Sequence, residues 1–182
     1  MNRTMIRFFT IADYEDEEIW LRQQHQQGLK LVKVTIPCFY TFEECEPEDV
    51  IYRLDYKNGL QDEEYMNMLE DFGWEYFDEC LGWLYFRKPA GEVHDEEEGE
   101  IFSDNISKVE VVESIVKTRL VPLTVVFLCC VIPNLLNSMR GAQGGCSKFF
   151  TVFFSLMFMI YVYLIIHCSL KLKSIRDRYS KM

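Results

Sequence analysis

Histidine is scarce in this 182-residue sequence, with three in all. No pair of them stands at a metal-ligand spacing, so a zinc-type centre is not expected. His25 falls in the polar run QQHQQ, where a solvated position on a helix surface is expected. Seven cysteines are scattered, at 38, 45, 80, 129, 130, 146 and 168, with no C-x-x-C pair among them. An odd, dispersed set reads as reduced thiols rather than as a disulfide framework. A Cys–His nucleophile built from Cys38, Cys45 or Cys80 with His25 or His94 has nothing in the sequence to argue for it. The chain also lacks a Walker loop, a dinucleotide-binding glycine pattern, a G-x-S-x-G elbow and an H-E-x-x-H pair. The acidic run EVHDEEEGE (92–100) lacks the alternating ligands of a calcium loop and reads as a solvated spacer. No catalytic residue, cofactor or metal is therefore expected, and catalysis of an unrecognised type is the minor alternative.

Charge is missing from one long stretch. Phe149–Leu170 holds 22 residues without Asp, Glu, Lys or Arg. At about 1.5 Å per residue it makes roughly 33 Å of helix, enough for a hydrocarbon core of about 30 Å. It has no polar stripe at helical spacing, as a soluble amphipathic helix would. Leu120–Leu136 is a second, shorter run of 17 residues, about 25 Å long, with Pro122 in its expected first turn and Pro133 near its exit. The two runs predict a membrane hairpin over 120–137 and 149–170. Two buried helices of a soluble domain are the alternative, but little sequence is left to build a shell around them. A signal peptide is not expected, because the runs lie late in the sequence and the first residues have no apolar core of signal length.

Basic residues set the expected orientation. Lys117 and Arg119 precede the first run, and Lys171, Lys173, Arg176, Arg178 and Lys181 follow the second. Arg140 and Lys148 are the only ones in the loop between. Both termini should then be cytoplasmic in a two-pass protein of the cell membrane. The overall charge of −10 hides a split. Residues 1–119 carry 12 basic against 28 acidic side chains, and 120–182 carry 7 against 1. An acidic soluble part is unsuited to nucleic-acid phosphate, so no direct nucleic-acid binding is expected. The basic segment 171–182, read as a cytoplasmic tail, suits an anionic inner leaflet.

Met5–Ala12 reads as a first strand. Asp13 then caps a helix whose first turn is loaded with Glu15, Asp16, Glu17 and Glu18 in solvent, and Gly28 stops it. Leu29–Phe42 alternates, with Leu29, Leu31 and Lys33 on one side and Val32, Val34 and Ile36 on the other, until Pro37 bends or ends it. Val50–Lys57 is a strand with Tyr52, Leu54 and Tyr56 on one face and Ile51, Arg53 and Asp55 on the other, closed by an Asn58-Gly59 turn. Asp62–Gly73 repeats the first helix in outline. Trp74–Cys80 and Trp83–Lys88 are two more strands around Leu81-Gly82. The order predicts an α+β, ferredoxin-like antiparallel sheet with two helices on one face. The expected layout is a cytosolic domain over 1–91, an acidic linker over 92–104 and a juxtamembrane helix over 105–119. That helix is capped at Ser103 or Asp104, has Ile106, Val109, Val112 and Val116 on one side, and runs on into the hairpin.

On the open face of such a sheet, Arg53, Asp55, Trp83, Tyr85 and Arg87, with Lys33 beside them, are expected to form an interaction or ligand surface. Aromatic rings beside an Arg fork suit interfaces and ligand sites. Internal ion pairs with aromatic covering, or packing in a dimer, would use the same residues.

Three stretches, EEIWLRQQHQQGLKLVKV with FYTFEE and YRLDY, YMNMLEDFGWEYFDECLGWLYFRKPAGE, and EIFSDNISKVE, together resemble a bacterial family known as domain of unknown function 2812. The resemblance spans about residues 5–115. It implies a cytosolic α+β domain joined to membrane helices and an association with PadR-type transcriptional regulators. It brings no site residues with it, and the acidic run 92–100 departs from its pattern. The leading expectation is a membrane-anchored regulatory or interaction module whose partners are the lipid bilayer and a protein, either such a regulator or a second copy. The alternative is a small-molecule sensor with its ligand on the aromatic sheet face. A transport role is disfavoured, because the runs carry no ionisable residue beyond His167.

Overall fold

A computed structural model describes residues 2–36, 38–56, 63–93, 96–101, 111–140 and 145–179. The expectations for Pro37, the Asn58-Gly59 turn, His94, the cap at Ser103 or Asp104, Ile106 and Val109 lie outside those residues. The region before the apolar runs comprises β1 (Asn2–Ile6), α1 (Tyr14–Gln26), β2 (Leu29–Thr35), β3 (Phe39–Glu44), β4 (Val50–Tyr56), α2 (Glu63–Asp71), β5 (Glu75–Cys80) and β6 (Trp83–Pro89).

The strands make two three-stranded antiparallel sheets, ordered β1-β3-β2 and β4-β6-β5, where one sheet was expected. The stretch 29–42 is a hairpin rather than one strand, with Thr35 facing Phe39 across its closed end. The first strand lies earlier than the apolar pattern suggests, and residues 7–12 form a loop and turn instead. Both halves follow one plan: strand, helix, strand, strand, with the last strand between the first two and antiparallel to each. The helix repeat visible in the sequence thus belongs to a repeated split β-α-β unit. The two sheets meet where β2 runs beside β5, and the Val34 amide donates to Asp78 Oδ2 at 2.5 Å.

Side-chain alternation places the core. Tyr52, Leu54 and Tyr56 of β4 face the main cluster with Leu31, Phe42, Trp83 and Tyr85, while Ile51 faces a smaller cluster with Leu69, Trp74, Leu84 and Phe86 beside α2. The expected split of β4 into two faces therefore holds. On β2 it does not. The register slips between Leu31 and Lys33, so Leu31 and Val34 are both buried and Val32 is exposed. A bulge of this kind inserts one residue and shifts the period-2 pattern by one. Gly28 and Gly73 stop their helices as expected, at φ +82° and +83°, in the left-handed region glycine enters without a Cβ clash.

Two long helices follow, α3 over residues 111–140 and α4 over Gly145–Tyr179. Within them Val111–Asn137 and Lys148–Arg178 are long and apolar enough to cross a membrane. Pro122 and Pro133 lie inside α3 rather than at its ends, each preceded by a widened π-helical stretch, Val116–Leu120 and Phe127–Val131. Proline lacks an N–H and crowds the carbonyl four residues back, and a wider turn relieves both. The helices run antiparallel, with Phe127 against Phe158 at 5.3 Å and Tyr161 at 5.8 Å. Residues 171–179 are not a free tail. They continue α4, and Leu172 and Ile175 are buried in the main core with Val112 and Ile115.

Candidate functional site

The first turn of α1 carries the chemistry. A helix repeats every 3.6 residues, so Glu17, Trp20, Leu21 and His25 share one stripe. All four are buried, although two of them are polar, and α1 lies across β2 and β4. Glu17, expected in solvent, is only 6% exposed. Its Oε1 accepts hydrogen bonds from the Tyr40 hydroxyl at 2.9 Å and the Tyr85 hydroxyl at 2.8 Å. Burial pushes the Glu17 carboxyl above its usual range, and the two tyrosine bonds offset only part of that. Burial, with the neighbouring Glu17, likewise raises both phenols.

This cluster borders a cavity of about 160 Å³ lined by Phe9, Cys38, Cys80, Trp83 and Arg119 as well. Burial, with Asp78 next, pushes the Cys80 thiol up, which makes it a poor nucleophile. Arg119 lies at the foot of α3. Its Nε donates to the Tyr56 hydroxyl at 2.9 Å and its Nη2 to the Leu81 carbonyl at 2.7 Å. Tyr56 packs on Trp83 at 5.1 Å. A carboxyl, two phenols and a guanidinium thus converge among aromatic walls directly above a helix suited to a membrane. Such a pocket can hold a small polar or amphiphilic molecule.

On the other side of α1, Glu18 is also drawn in. Its Oε1 accepts from the Leu54 amide at 2.8 Å and its Oε2 from Arg53 Nη1 at 3.3 Å. Arg53 Nη2 reaches Glu100 at 2.7 Å, while Arg53 Nε is buried without a partner among the described residues. Burial pushes the Glu18 carboxyl up to about 8, against the pull of Arg53 and the Leu54 amide. These groups line a groove of about 270 Å³ together with Tyr14 and Arg178.

The register divides the residues expected on one open face. Trp83 faces Tyr56, Tyr85 faces Leu54 and Arg87 faces Tyr52, so these three share the core side. Arg53 faces Phe86 and Asp55 faces Leu84, on the opposite side. The cause is strand pairing: cross-strand partners always point the same way, and a single sequence does not state the register. Trp83 and Tyr85 line the Glu17 cavity. Arg87 is paired with Glu75 and donates to the Leu31 carbonyl at 3.0 Å. Asp55 is buried and accepts from the Tyr65 hydroxyl at 2.8 Å, and Lys33 is exposed on the other sheet. His25 is corrected too: it is 4% exposed, with Nδ1 2.8 Å from the Tyr52 hydroxyl. Burial, then Arg87, lowers its pKa. Glu17 and His25 stand at helical spacing with Leu21, the one local signal of their burial, whereas Glu18, on the other side of α1, carries none.

The end of α4 binds the other edge of α1. Lys171 pairs with both Asp13 and Asp16, His167 Nε2 lies 3.3 Å from Asp13, and Arg178 lies 3.2 Å from Glu15. Asp13 holds the N-cap position, yet its carboxylate turns to the Thr10 amide (2.9 Å) and to Lys171 instead of the helix amides. Burial pushes its carboxyl up, but the bonds from Lys171 and Thr10 outweigh it and hold the group at about 2.

A family model described as "Protein of unknown function (DUF2812)" matches residues 13–124, from the cap of α1 into α3. No curated protein and no solved structure matches the chain.

Proposed function

We propose a function from one premise, that the chain belongs to the DUF2812 family of proteins of unknown function. In this reading it is a two-pass, membrane-anchored regulatory module. Its paired sheets stand on the cytoplasmic side, where the basic residues flanking α3 and α4 would hold them. Its output is a contact with a protein partner, either a transcriptional regulator of the PadR type or a second copy. Each strand–helix–strand–strand unit is compatible with a ferredoxin-like arrangement.

One observation carries the reading. The last turns of α4 are packed into the core of the sheet region, through Cys168, Leu172 and Ile175. A spanning helix that ends inside a soluble core is more than a tether, because a shift of one must repack the other. The test is affinity capture of the full chain from membrane extracts, in parallel with a Leu172→Ala variant. A specific partner recovered by the native chain and weakened by the variant supports a coupled module. Recovery of no specific partner removes the proposal.

The Glu17 cavity favours a second reading, a sensor that takes a small ligand between the sheets and the foot of α3. Thermal melting of the full chain against a metabolite panel distinguishes it. A ligand whose stabilisation is lost in Trp83→Ala and kept in Arg53→Ala places binding in this cavity. A flat panel argues against a sensor.

A further inference from the structure

The packing of the two long helices fixes a level on the sheet region. Val112 and Ile115 share the core with Leu172 and Ile175, and Phe127 meets Phe158 and Tyr161 further along. Between these contacts Arg119 on α3 and His167 on α4 stand at similar depth. The outward apolar side chains run on from there, with Val121 50% and Ile166 53% exposed. If the helices span, this is where the hydrocarbon ends.

Two parts of the sheet region are bonded to that level. The Leu81 carbonyl, at the β5–β6 turn, takes the Arg119 hydrogen bond. Asp13, at the end of the loop after β1, lies against His167 and Lys171. The tip of the β2–β3 hairpin joins them, since Thr35, Cys38, Phe9 and Leu81 border one cavity with Arg119, and the Arg7 amide donates to the Cys38 carbonyl at 3.1 Å. This same end of the domain carries exposed apolar side chains: Phe8 at 78%, Ile6 at 65%, Ile36 at 59% and Leu81 at 54%. Scattered exposed apolar groups are ordinary, but a set gathered at one end is not.

The geometry points to a lipid-facing skirt: Ile6, Phe8, Ile36 and Leu81 dip into the boundary between headgroups and acyl chains around the foot of the helices. Lipid is the occupant because the patch continues the outward apolar surface of α3 and α4 at the depth where that surface starts. Between Ile6 and Phe8, Arg7 lays its guanidinium over the Phe9 and Trp20 rings, 5.1 and 4.9 Å from their centroids, which leaves the two apolar side chains as the outward groups. The skirt would orient the domain and place the Glu17 cavity close to the membrane surface. The inference rests on the reading that α3 and α4 span a bilayer.

Bromine quenching tests both separately. The full chain is reconstituted in vesicles of phosphatidylcholine and phosphatidylglycerol, with or without phosphatidylcholine brominated near the upper part of its acyl chains. Fluorescence added by one new tryptophan is read as the difference from the native chain. Phe8→Trp and Ile36→Trp should lose most of their added emission to the bromines, as should Met159→Trp, a 66% exposed site in α4. Phe72→Trp, 65% exposed on the far α2 side, should keep its emission. If Met159→Trp is quenched while Phe8→Trp and Ile36→Trp behave like Phe72→Trp, the skirt is overturned and the spanning reading stands. Blue-shifted but unquenched emission at positions 8 and 36 would mean a protein partner covers the patch, which also overturns it. If Met159→Trp is itself unquenched, the spanning reading fails and the skirt fails with it.

Discussion

Leu170 and Leu172 are two residues apart on α4 and differ entirely in surroundings. Leu170 is 64% exposed, whereas Leu172 is 1% exposed and shares a core cluster with Trp20 and Trp83. Truncating a buried leucine to alanine removes transferred apolar surface and leaves a cavity, at a cost of about 2–5 kcal/mol. For a chain of this size each kcal/mol lowers Tm by about 2–4 °C, so Leu172→Ala should melt roughly 4–20 °C below the native chain. Leu170→Ala removes an outward side chain and should stay within about 0.5 kcal/mol. The assay is thermal unfolding of the full chain in nanodiscs, followed by tryptophan emission from the sheet region. Both variants keep the same charge and the same helix propensity change, so only the contacts differ. If they melt together, close to the native chain, α4 is not part of the domain's core and the reasoning fails.

Three further outcomes follow from single residues. Glu18, pushed up to about 8, is raised above its unfolded range, so its contribution to stability is fully present below about 4.5 and is lost as pH rises through 8. Glu18→Gln, which cannot ionise, should therefore gain stability relative to the native chain between pH 4.5 and 8 in denaturant titrations, and a pH-independent difference would contradict the burial. Tyr40→Phe or Tyr85→Phe each removes one of two donors to Glu17 and should cost about 1–3 kcal/mol, with a double variant that departs from additivity because both bond the same oxygen; strict additivity would deny the shared acceptor. Gly28→Ala adds a Cβ 2.9 Å from the Cys45 carbonyl oxygen at a φ of +82° and should cost more than about 1–2 kcal/mol, while Gly91→Ala, with nothing within 4 Å among the described residues, should melt like the native chain.

Hydrophobic period and helix punctuation made much of the architecture legible. The gap in charge over Phe149–Leu170 locates the second apolar helix, the glycines at 28 and 73 locate two helix ends, and the Tyr52, Leu54, Tyr56 alternation gives the buried face of β4. Long-range pairing was not legible. The register that sets Trp83 against Tyr56 turns Trp83, Tyr85 and Arg87 away from Arg53 and Asp55, and nothing local in either strand encodes that choice. Charge was the second blind spot. Glu17, Glu18 and His25 read as solvated because ionisable groups are rarely buried, yet hydrogen bonds from Tyr40, Tyr85 and the Leu54 amide to the two carboxyls, and one between His25 and the Tyr52 hydroxyl, supply the partners that burial requires. The basic stretch from Lys171 looked like a tail for the same reason. Its charges meet Asp13, Asp16 and Glu15 at the N-terminal end of α1.

That last contact is where sequence pattern and structure differ most, and amide hydrogen exchange reads it directly. In the full chain held in a nanodisc, the amides of residues 171–178 should be protected to the same degree as those of α1, because both belong to one packed core. Exchange at the rate of an unstructured basic tail, with α1 still protected, would contradict the coupling of α4 and the sheet region on which the proposed function stands.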